Sequence, residues 1–221
     1  MLESKKIFIV EDHPIVIKGL SQVINKQSDL ILSGYATNAN DALTKLEELK
    51  PDLVTVDILL KDSNGMELIK NMIYRDPNVK ILVISMFDEE IYAERVIKAG
   101  AKGYIMKQSL TKQLLKAIYT VLSGKIYLSE NLSIDLINKK IKGNTNGNDE
   151  YSLIQSLSDR ELEVFQLIGD GLTTLQIAEK TNLGVKTVET YKNRIKEKLN
   201  LENANLLIKK AVEWQLVNKT M

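Results

Sequence analysis

The first 125 residues alternate short apolar runs with segments of helical periodicity, and this alternation restricts the fold more than any other feature of the chain. The runs are rich in β-branched residues and mostly continuous in hydrophobicity, as expected for strands that are covered on both faces. They span residues 7–10, 30–36, 53–56, 81–84 and 103–105. Five strand–helix units in succession predict a doubly wound, five-stranded parallel sheet with right-handed crossovers. In such a sheet, functional side chains lie beyond the carboxyl ends of the strands.

Composition excludes several classes of function. None of the 221 residues is cysteine, which rules out disulfides, thiolate catalysis and cysteine-ligated metals. The single histidine, His13, directly precedes Pro14 at a predicted helix start, so we interpret it as helix-entry structure outside any site. Thirty Lys and Arg against 29 Asp and Glu leave a net charge of +1, so nucleic-acid binding would require a local basic patch. No run approaches the ~18 consecutive apolar residues of a membrane span, and we expect a cytoplasmic protein with no membrane partner.

Acidic, hydroxyl and basic residues follow the predicted strands. Glu11 and Asp12 follow the first strand, Asp57 the third, Ser85 the fourth and Lys107 the fifth. Three carboxylates at one sheet edge repel one another unless a cation lies among them, and Mg²⁺ takes oxygen ligands of this kind. A carboxylate there can act as a nucleophile on a phosphoryl group, whose charge the magnesium ion and a lysine would neutralise. Each residue alone could be a turn, cap or surface residue, but the five together predict a magnesium-dependent phosphoryl-transfer site.

This arrangement resembles the receiver domain of bacterial two-component response regulators over about residues 5–123, and the tract Val10-Glu11-Asp12-His13-Pro14 is similar to the opening of the NarL/FixJ subfamily. The resemblance implies a flavodoxin-like α/β fold in which Asp57 accepts a phosphoryl group and Lys107 binds it. It also implies a magnesium site and a conformational switch. The implied magnesium ligands are Glu11, Asp12, Asp57 and the backbone carbonyl of Leu59, and the implied switch residues are Ser85 and Tyr104.

A polar, turn-forming tract at residues 143–150 divides the chain. Its glycine, asparagine and acidic residues have little apolar surface to bury, so we interpret it as a linker. A short amphipathic helix is expected before this tract, and only helical patterns follow it. We therefore predict three regions: a receiver domain over residues 1–125, a linker with a short helix over 126–152, and a small all-α domain over 153–221.

The tail carries the signals of a helix-turn-helix unit. Ser158, followed three positions later by Glu161, predicts a capped first helix, and Thr173 or Thr174 begins a second, short helix. A third helix is predicted over about residues 186–199, with five basic residues against two acidic ones. A helix that is joined by a short turn to a second helix can place that second helix in the major groove of DNA.

The outward face of the third helix is expected to contact DNA. Val188, Ile195 and Leu199 line its inner side, so the polar residues between them face outward. About half to two-thirds of protein–DNA hydrogen bonds go to the backbone of the nucleic acid, so we expect phosphate contacts to dominate. The candidates are Lys192 and Arg194 for phosphates, Thr190 and Asn193 for base edges, Thr187 for a phosphate, and Lys196 as a further residue available to DNA. For Thr187, the early position in the helix favours a role as its cap over a phosphate contact.

Residues 154–216 closely resemble the LuxR-type helix-turn-helix. The resemblance implies DNA binding and a dimer surface on the last helix, over about residues 204–215. That helix is rich in apolar residues, which either a dimer partner or the core of the domain itself could cover. The matching residues are Leu157, Arg160, Glu161, Glu163, Val164, Gly171, Ile177, Ala178, Thr187, Val188, Ile195, Lys198 and Leu199.

Together these features predict a transcription regulator, not an enzyme, whose sequence-specific DNA binding is controlled by phosphorylation. A sensor histidine kinase or a small phosphodonor would phosphorylate Asp57, and the active form would be a homodimer. Two alternatives stay open: a phosphorylation-independent DNA-binding regulator that uses its receiver domain for dimerisation, and an aspartyl-phosphate phosphohydrolase. Phosphohydrolases similar to haloacid dehalogenases typically have a second aspartate two residues after the nucleophile, where this chain has Leu59.

Overall fold

The computed structural model describes residues 4–60, 63–142 and 150–219, and it divides into two compact units, residues 1–136 and 137–221. The predicted linker tract at 143–150 lies outside the described residues, except for Glu150, where a helix begins. The predicted domain limits at residues 125 and 153 therefore stay predictions. In the described ranges, no helix combines the length and the apolar character needed to cross a membrane.

The first unit is the α/β fold that the alternating runs predict. Its elements are β1 (Lys5–Val10), α1 (Pro14–Asn25), β2 (Leu30–Ala36), α2 (Ala39–Leu49), β3 (Leu53–Val56), β4 (Leu59–Leu60), β5 (Ser63–Asn64), α3 (Gly65–Arg75), β6 (Ile81–Ser85), α4 (Glu89–Lys98), β7 (Gly103–Met106), α5 (Leu110–Leu122) and α6 (Glu130–Lys142), which continues into the second unit. Five parallel strands form one sheet in the order β2-β1-β3-β6-β7, and β4 pairs with β5 in an antiparallel turn. All five predicted strands are present, and the fold prediction is confirmed.

The central strands are buried along their length. Every residue of β3 and β6 is buried, as is the second half of β1. Apolar side chains of these strands pack with α5 in one core, which includes Ile9, Leu82, Leu114 and Ile118. Because hydrophobic packing fixes the strands from both sides, their carboxyl ends hold the residues that follow them in fixed positions.

The chain that follows α5 runs along the edge of the sheet. The Tyr127 amide donates to the Lys102 carbonyl over 2.9 Å, and the Tyr104 amide donates to the Tyr127 carbonyl over 3.0 Å. Glycine at position 103 permits this close approach, because a Cβ on this residue would lie only 3.1 Å from the Tyr127 carbonyl oxygen. The start of the region predicted as a linker is therefore hydrogen-bonded to β7.

In the described residues of the second unit, all regular secondary structure is helical. Its further helices are α7 (Glu150–Gln155), α8 (Asp159–Gly169), α9 (Thr174–Thr181), α10 (Val185–Lys198) and α11 (Ala204–Lys219). Ser158 and Glu161 form the predicted capping box at the start of α8. A second capping box, between Thr173 and Gln176, begins α9, so Thr173 rather than Thr174 is the cap. These caps satisfy helix amides that would otherwise lack a partner.

Candidate functional site

The carboxyl edge of the sheet brings the predicted polar residues together. Glu11 follows β1, Asp57 follows β3, Ser85 ends β6 and Lys107 follows β7. The Lys107 Nζ atom lies 2.7 Å from Asp57 Oδ2 and 2.6 Å from Glu11 Oε2, so one ammonium group bridges two carboxylates. Only 2% of each of these carboxylate side chains and 9% of the lysine side chain is exposed. The ion pairs are therefore largely shielded from water and from salt.

Asp12 and His13 complete this acidic cluster. His13 is the N-cap residue of α1 and Pro14 is the first residue of that helix, as expected for helix entry. However, the His13 Nδ1 atom lies 2.9 Å from Glu11 Oε1 and 2.7 Å from Asp12 Oδ1. Ligand atoms of these three residues and of Asp57 all lie within 4.8 Å of one another. His13 therefore lies at the acidic cluster as well as at the entry of α1, and the interpretation that it has no role in the site stays a prediction.

Burial and charge oppose each other at Asp57. The pKa of Asp57 is raised to about 6. Burial raises this pKa most, the Lys107 ammonium partly offsets that increase, and the Glu11 carboxylate adds to it. Burial alone would lower the pKa of Lys107, but the carboxylates of Asp57 and Glu11 outweigh it and raise this pKa above its ordinary value. Lys107 is therefore firmly protonated, and additional positive charge beside Asp57 would favour its ionised, nucleophilic form.

The loop after Asp57 is held close to the acidic cluster. The Leu59 amide donates a hydrogen bond of 3.0 Å to Asp57 Oδ1, which orients the carboxylate. Gly65 then begins α3 directly against the backbone of this loop. A Cβ on Gly65 would lie 2.5 Å from the Ile58 Cα atom and 2.7 Å from the Asp57 carbonyl oxygen, so only glycine fits. The Leu59 backbone therefore lies beside Asp57, where the resemblance places a magnesium ligand.

Ser85 and Tyr104 are both fully buried, and both contact Phe87. The Ser85 Oγ atom accepts a hydrogen bond of 3.2 Å from the Phe87 amide. The Tyr104 hydroxyl donates to the Phe87 carbonyl over 2.8 Å and also interacts with Ser85. The ring of Phe87 stacks on Tyr92 of α4, with 4.7 Å between the ring centroids. A movement of Ser85 would therefore change contacts of Tyr104 and of α4 through Phe87.

The predicted DNA contacts lie on α10, whose inner side is formed by the buried residues Val188 and Ile195, as expected. Four candidates are exposed: Thr187, Thr190, Asn193 and Arg194; Lys192 and Lys196 are partly buried. Gly184 occupies the N-cap position of α10, and no side chain caps this helix. A capping role for Thr187 was therefore wrong, because the helix begins one residue earlier than predicted and Thr187 is its third residue.

Lys192 is held by two neighbours within the domain. Its Nζ atom lies 2.9 Å from Glu189 Oε1 and 3.0 Å from Thr174 Oγ1, and 19% of its side chain is exposed. The Thr174 hydroxyl donates to the same Glu189 oxygen over 2.8 Å. The hydrogen bonds from Lys192 and Thr174 hold the pKa of Glu189 below its ordinary value. Sequence reasoning assigned Lys192 to phosphate and missed Glu189, since no sequence pattern signals the contact with Thr174 on the preceding helix.

An ion pair attaches the end of α10 to the start of α8. The Lys198 Nζ atom lies 2.6 Å from Glu161 Oε2 and 3.1 Å from the Ser156 carbonyl. Burial alone would raise the pKa of Glu161, but hydrogen bonds from Lys198 and Ser158 outweigh it and keep this pKa below its ordinary value. Two residues of the LuxR-type pattern, Glu161 and Lys198, therefore fix the orientation of α10.

The last helix divides its apolar residues between a core and a surface. Leu207, Ala211 and Trp214 are buried, and the ring centroids of Trp214 and of Phe165 on α8 are 5.8 Å apart. The domain's own core therefore accounts for this set. Exposed apolar residues on the same helix are Leu206, Ile208 and Leu216. A dimer through α11 stays a prediction, with this second set as its candidate surface.

Comparisons with known proteins match both halves of the chain. A response regulator receiver domain model matches residues 7–119, and a model of bacterial regulatory proteins of the luxR family matches residues 155–211. The oxygen regulatory protein NreC of Staphylococcus epidermidis is 36% identical over 217 residues, which cover 96% of this chain and 99% of that protein. The NreC of Staphylococcus carnosus is 34% identical over the same shares of the two chains.

Solved structures show the same architecture. RcsB of Salmonella enterica serovar Typhimurium, bound to the promoter rprA in the presence of phosphomimetic BeF3⁻, is 24% identical with a TM-score of 0.70. That match covers 95% of this chain and 99% of the RcsB chain, and it shows a shared fold. A LuxR-family two-component response regulator from Aurantimonas sp. SI85-9A1 is 27% identical with a TM-score of 0.59, over 63% of this chain and 99% of the other.

Proposed function

The chain belongs to the NarL/LuxR family of two-component response regulators, which are DNA-binding regulators of transcription, and on this premise we propose that phosphorylation of Asp57 controls its binding to DNA. The observation that carries the proposal is the placement of Asp57, with the Lys107 ammonium 2.7 Å away and two further carboxylates beside it. A structural aspartate needs only one partner to be buried. A phosphoryl acceptor needs a cation site, a counter-charge and an oriented carboxylate, and Asp57 has neighbours suited to each.

The acidic cluster has the donor set of a magnesium site. Glu11, Asp12 and Asp57 place carboxylate oxygens within 4.8 Å of one another. Mg²⁺ prefers oxygen ligands and is bound in proteins by a few carboxylates together with water and phosphate oxygens. We propose that these three carboxylates and the Leu59 carbonyl hold the ion. When bound, it neutralises charge on the oxygens of the transferring phosphoryl group.

Asp57 supplies the nucleophile. One of its carboxylate oxygens forms a bond to phosphorus of a phosphohistidine in a sensor kinase or of a small acyl phosphate. The bond between phosphorus and the donor breaks, and its electron pair leaves with the donor. The Lys107 ammonium, which contacts Asp57 Oδ2 at 2.7 Å, neutralises the incoming phosphoryl oxygens. The Leu59 amide fixes the orientation of the carboxylate during this transfer.

The phosphoryl group adds a charge of about −2 beside Ser85. In the proposed switch, Ser85 donates its hydroxyl to the phosphoryl group and alters its contact with Phe87. Tyr104, which hydrogen-bonds the Phe87 carbonyl, then rotates and repacks the start of α4. This change favours a homodimer, in which two DNA-binding domains bind half-sites about one helical turn apart.

DNA binding in this proposal uses the outward side of α10. Thr187, Thr190, Asn193 and Arg194 are exposed there, and Lys196 lies beside them. Phosphates are assigned to Arg194, Thr187 and Lys196, and base edges to Thr190 and Asn193. Lys192, predicted from the sequence as a phosphate contact, is bound to Glu189 and Thr174 instead. For the chain as a whole, we propose the same three regions as the sequence predicts: a receiver domain over residues 1–125, a linker over 126–152 and a DNA-binding domain over 153–221.

Phosphorylation is expected to raise the affinity for DNA by about tenfold, which corresponds to ~1.4 kcal/mol. The full chain would be incubated with acetyl phosphate and Mg²⁺, and its binding sites would be enriched from a pool of randomised duplexes. Dissociation constants for an enriched duplex would then be measured by fluorescence anisotropy with and without acetyl phosphate. Asp57→Asn, treated in the same way, should take up no phosphoryl group and should keep the lower affinity.

Three results would contradict this proposal in different ways. Equal affinities of the treated wild type and Asp57→Asn would favour the regulator that binds DNA without phosphorylation. Sustained release of phosphate from an organic phosphoester would favour the phosphohydrolase. Failure to enrich any sequence, in both phosphorylation states, would show that the tail is not a DNA-binding domain.

Two apolar side chains at the acidic cluster are expected to prolong the phosphorylated state. Leu59 follows Asp57 by two residues and is 43% exposed, and Met86 directly follows Ser85 and is 58% exposed. Their apolar surface should keep the hydrolytic water away from the acyl phosphate. The double variant Leu59→Asn, Met86→Ala should shorten the phosphoryl lifetime about tenfold, equivalent to ~1.4 kcal/mol. Loss of ³²P from the protein measures this lifetime. Tyr74→Ala in the last turn of α3 is the control and should keep the wild-type lifetime. An unchanged lifetime in the double variant would contradict the proposed role of the two side chains.

A further inference from the structure

Glu189 is an acidic residue on the helix that carries the basic candidates for DNA contact. It lies on α10 directly after the buried Val188, and 49% of its side chain is exposed. A carboxylate at this place repels phosphates, so a purely electrostatic DNA surface would omit it. Glu189 nevertheless has two hydrogen-bond partners, Thr174 and Lys192. Among the described residues, Arg194 has no hydrogen bond or ion pair. This difference indicates a role that depends on orientation.

Three side chains form a closed set of hydrogen bonds around one carboxylate oxygen. Thr174 at the start of α9 donates its hydroxyl to Glu189 Oε1 over 2.8 Å. Lys192 donates to the same oxygen over 2.9 Å and to the Thr174 hydroxyl over 3.0 Å. Among the described residues, the second oxygen, Oε2, has no hydrogen-bond partner. The contacts therefore fix the carboxylate and leave one acceptor available.

Lys192 also compensates the charge of the carboxylate. Its ammonium group is shared between Glu189 and Thr174, so the pair enters the field of the DNA phosphates with no net charge. Hydrogen bonds from Lys192 and Thr174 keep Glu189 ionised, since they stabilise its charged form. An ionised carboxylate is only an acceptor of hydrogen bonds. The group available to DNA is thus an oriented acceptor whose charge is already neutralised.

We infer that Glu189 reads a cytosine in the major groove by accepting a hydrogen bond from its N4 amino group, and that Thr174 and Lys192 are positioning residues for this contact. In the major groove, cytosine presents an amino donor, and carboxylate side chains accept from it. A phosphate or a guanine edge presents only acceptors at the corresponding places and would be rejected. This inference rests on the proposed DNA binding and specifies one base pair in each half-site.

The test is a selection of binding sites by the full chain after treatment with acetyl phosphate and Mg²⁺. Wild type, Glu189→Gln and Glu189→Ala would each enrich sites from the same pool of randomised duplexes. In wild type, one position of each half-site should prefer C·G by about tenfold over the other pairs. Glutamine prefers adenine, so Glu189→Gln should move this preference to A·T, and Glu189→Ala should abolish it. The other positions of the site should keep their preferences.

The positioning residues are tested by a different readout. Thr174→Val removes the hydroxyl and keeps the shape, and Lys192→Met removes the ammonium group. Both should weaken the preference at this position, and Lys192→Met should also lower affinity for all sequences because it leaves the Glu189 charge uncompensated. If Lys192 served only as a phosphate contact, Lys192→Met would lower affinity for all sequences and keep the preference unchanged. Glu179→Gln, an exposed acidic residue near the end of α9, is the matched control and should leave the site unchanged.

Identical enriched sites for wild type, Glu189→Gln and Glu189→Ala would overturn the inference and leave the proposed DNA binding intact. If wild type enriched no sequence, the proposed function itself would fail, and the inference with it. Fluorescence of Trp214, the only tryptophan in the chain, reports whether each variant is folded, because this ring is buried against α8.

Discussion

Asp57→Asn is expected to stabilise the first unit by about 3 kcal/mol at pH 8 in the absence of divalent cations, since each pKa unit is worth ~1.4 kcal/mol. Burial raises the pKa of Asp57 from 3.8 to about 6, despite the opposing effect of Lys107. The wild-type carboxylate must ionise at an energetic cost as the pH rises through 6, whereas asparagine carries no charge.

The sign of this effect follows from the raised pKa. Wild type has its full stability below pH 3.8, where Asp57 is protonated in both folded and unfolded chains, and loses stability as the pH rises through about 6. The difference between the two proteins should therefore be large at pH 8 and small at pH 4. Urea unfolding of the full chain in EDTA, monitored by hydrogen exchange of the β3 amides, measures this difference in stability. Trp214 fluorescence should follow the second unit and should not change.

Asp52→Asn is the matched control with the opposite sign. Burial alone would raise the pKa of Asp52, but hydrogen bonds from the Lys5 side chain and the Lys6 amide outweigh it and keep this pKa below its ordinary value. Removing this carboxylate should destabilise the protein at pH 8, with the loss disappearing as the pH falls below the ordinary value of 3.8. Destabilisation by Asp57→Asn at pH 8, or an equal gain at pH 4, would contradict the assigned cost of ionising Asp57.

The strands could be predicted because burial on both faces leaves a direct trace in the sequence. A central strand must be apolar at nearly every position, and residues 53–56 and 81–84 show this pattern. The cluster around Asp57 could be predicted for a related reason, because parallel strands deliver the residues that follow them to one edge. Both inferences depend only on local sequence and on the topology of the sheet.

Contacts between side chains of different elements could not be predicted in the same way. The His13 ring turns back onto Glu11 and Asp12, and Lys192 binds Glu189 and Thr174 instead of remaining a surface charge. A charge pattern shows which residues are polar, but rotamers and neighbouring helices decide which partner each one finds. The contacts of His13 and Lys192 therefore became visible only in the structure.

Gly65→Ala is expected to destabilise the first unit by about 3 kcal/mol, at the upper end of the usual cost of overpacking. The added Cβ would lie 2.5 Å from the Ile58 Cα atom and 2.7 Å from the carbonyl oxygens of Asp57 and Ile58. These neighbours are backbone atoms, so relief requires the loop after Asp57 to move rather than one side chain to rotate. Urea unfolding, monitored by hydrogen exchange of β3 amides, measures the loss.

The same displacement should slow phosphorylation, because it moves the backbone that carries the Asp57 carboxylate and the Leu59 amide bound to it. Gly19→Ala is the matched control: a Cβ at this exposed helical position would have no neighbour within 4 Å. Alanine in a helix interior is favoured over glycine by ~0.5–1 kcal/mol, so this control should be slightly more stable and should accept phosphate at the wild-type rate. Equal stabilities for Gly65→Ala and wild type would show that the loop yields without cost. Phosphorylation at the wild-type rate in a destabilised Gly65→Ala would show that the loop position does not govern the chemistry of Asp57.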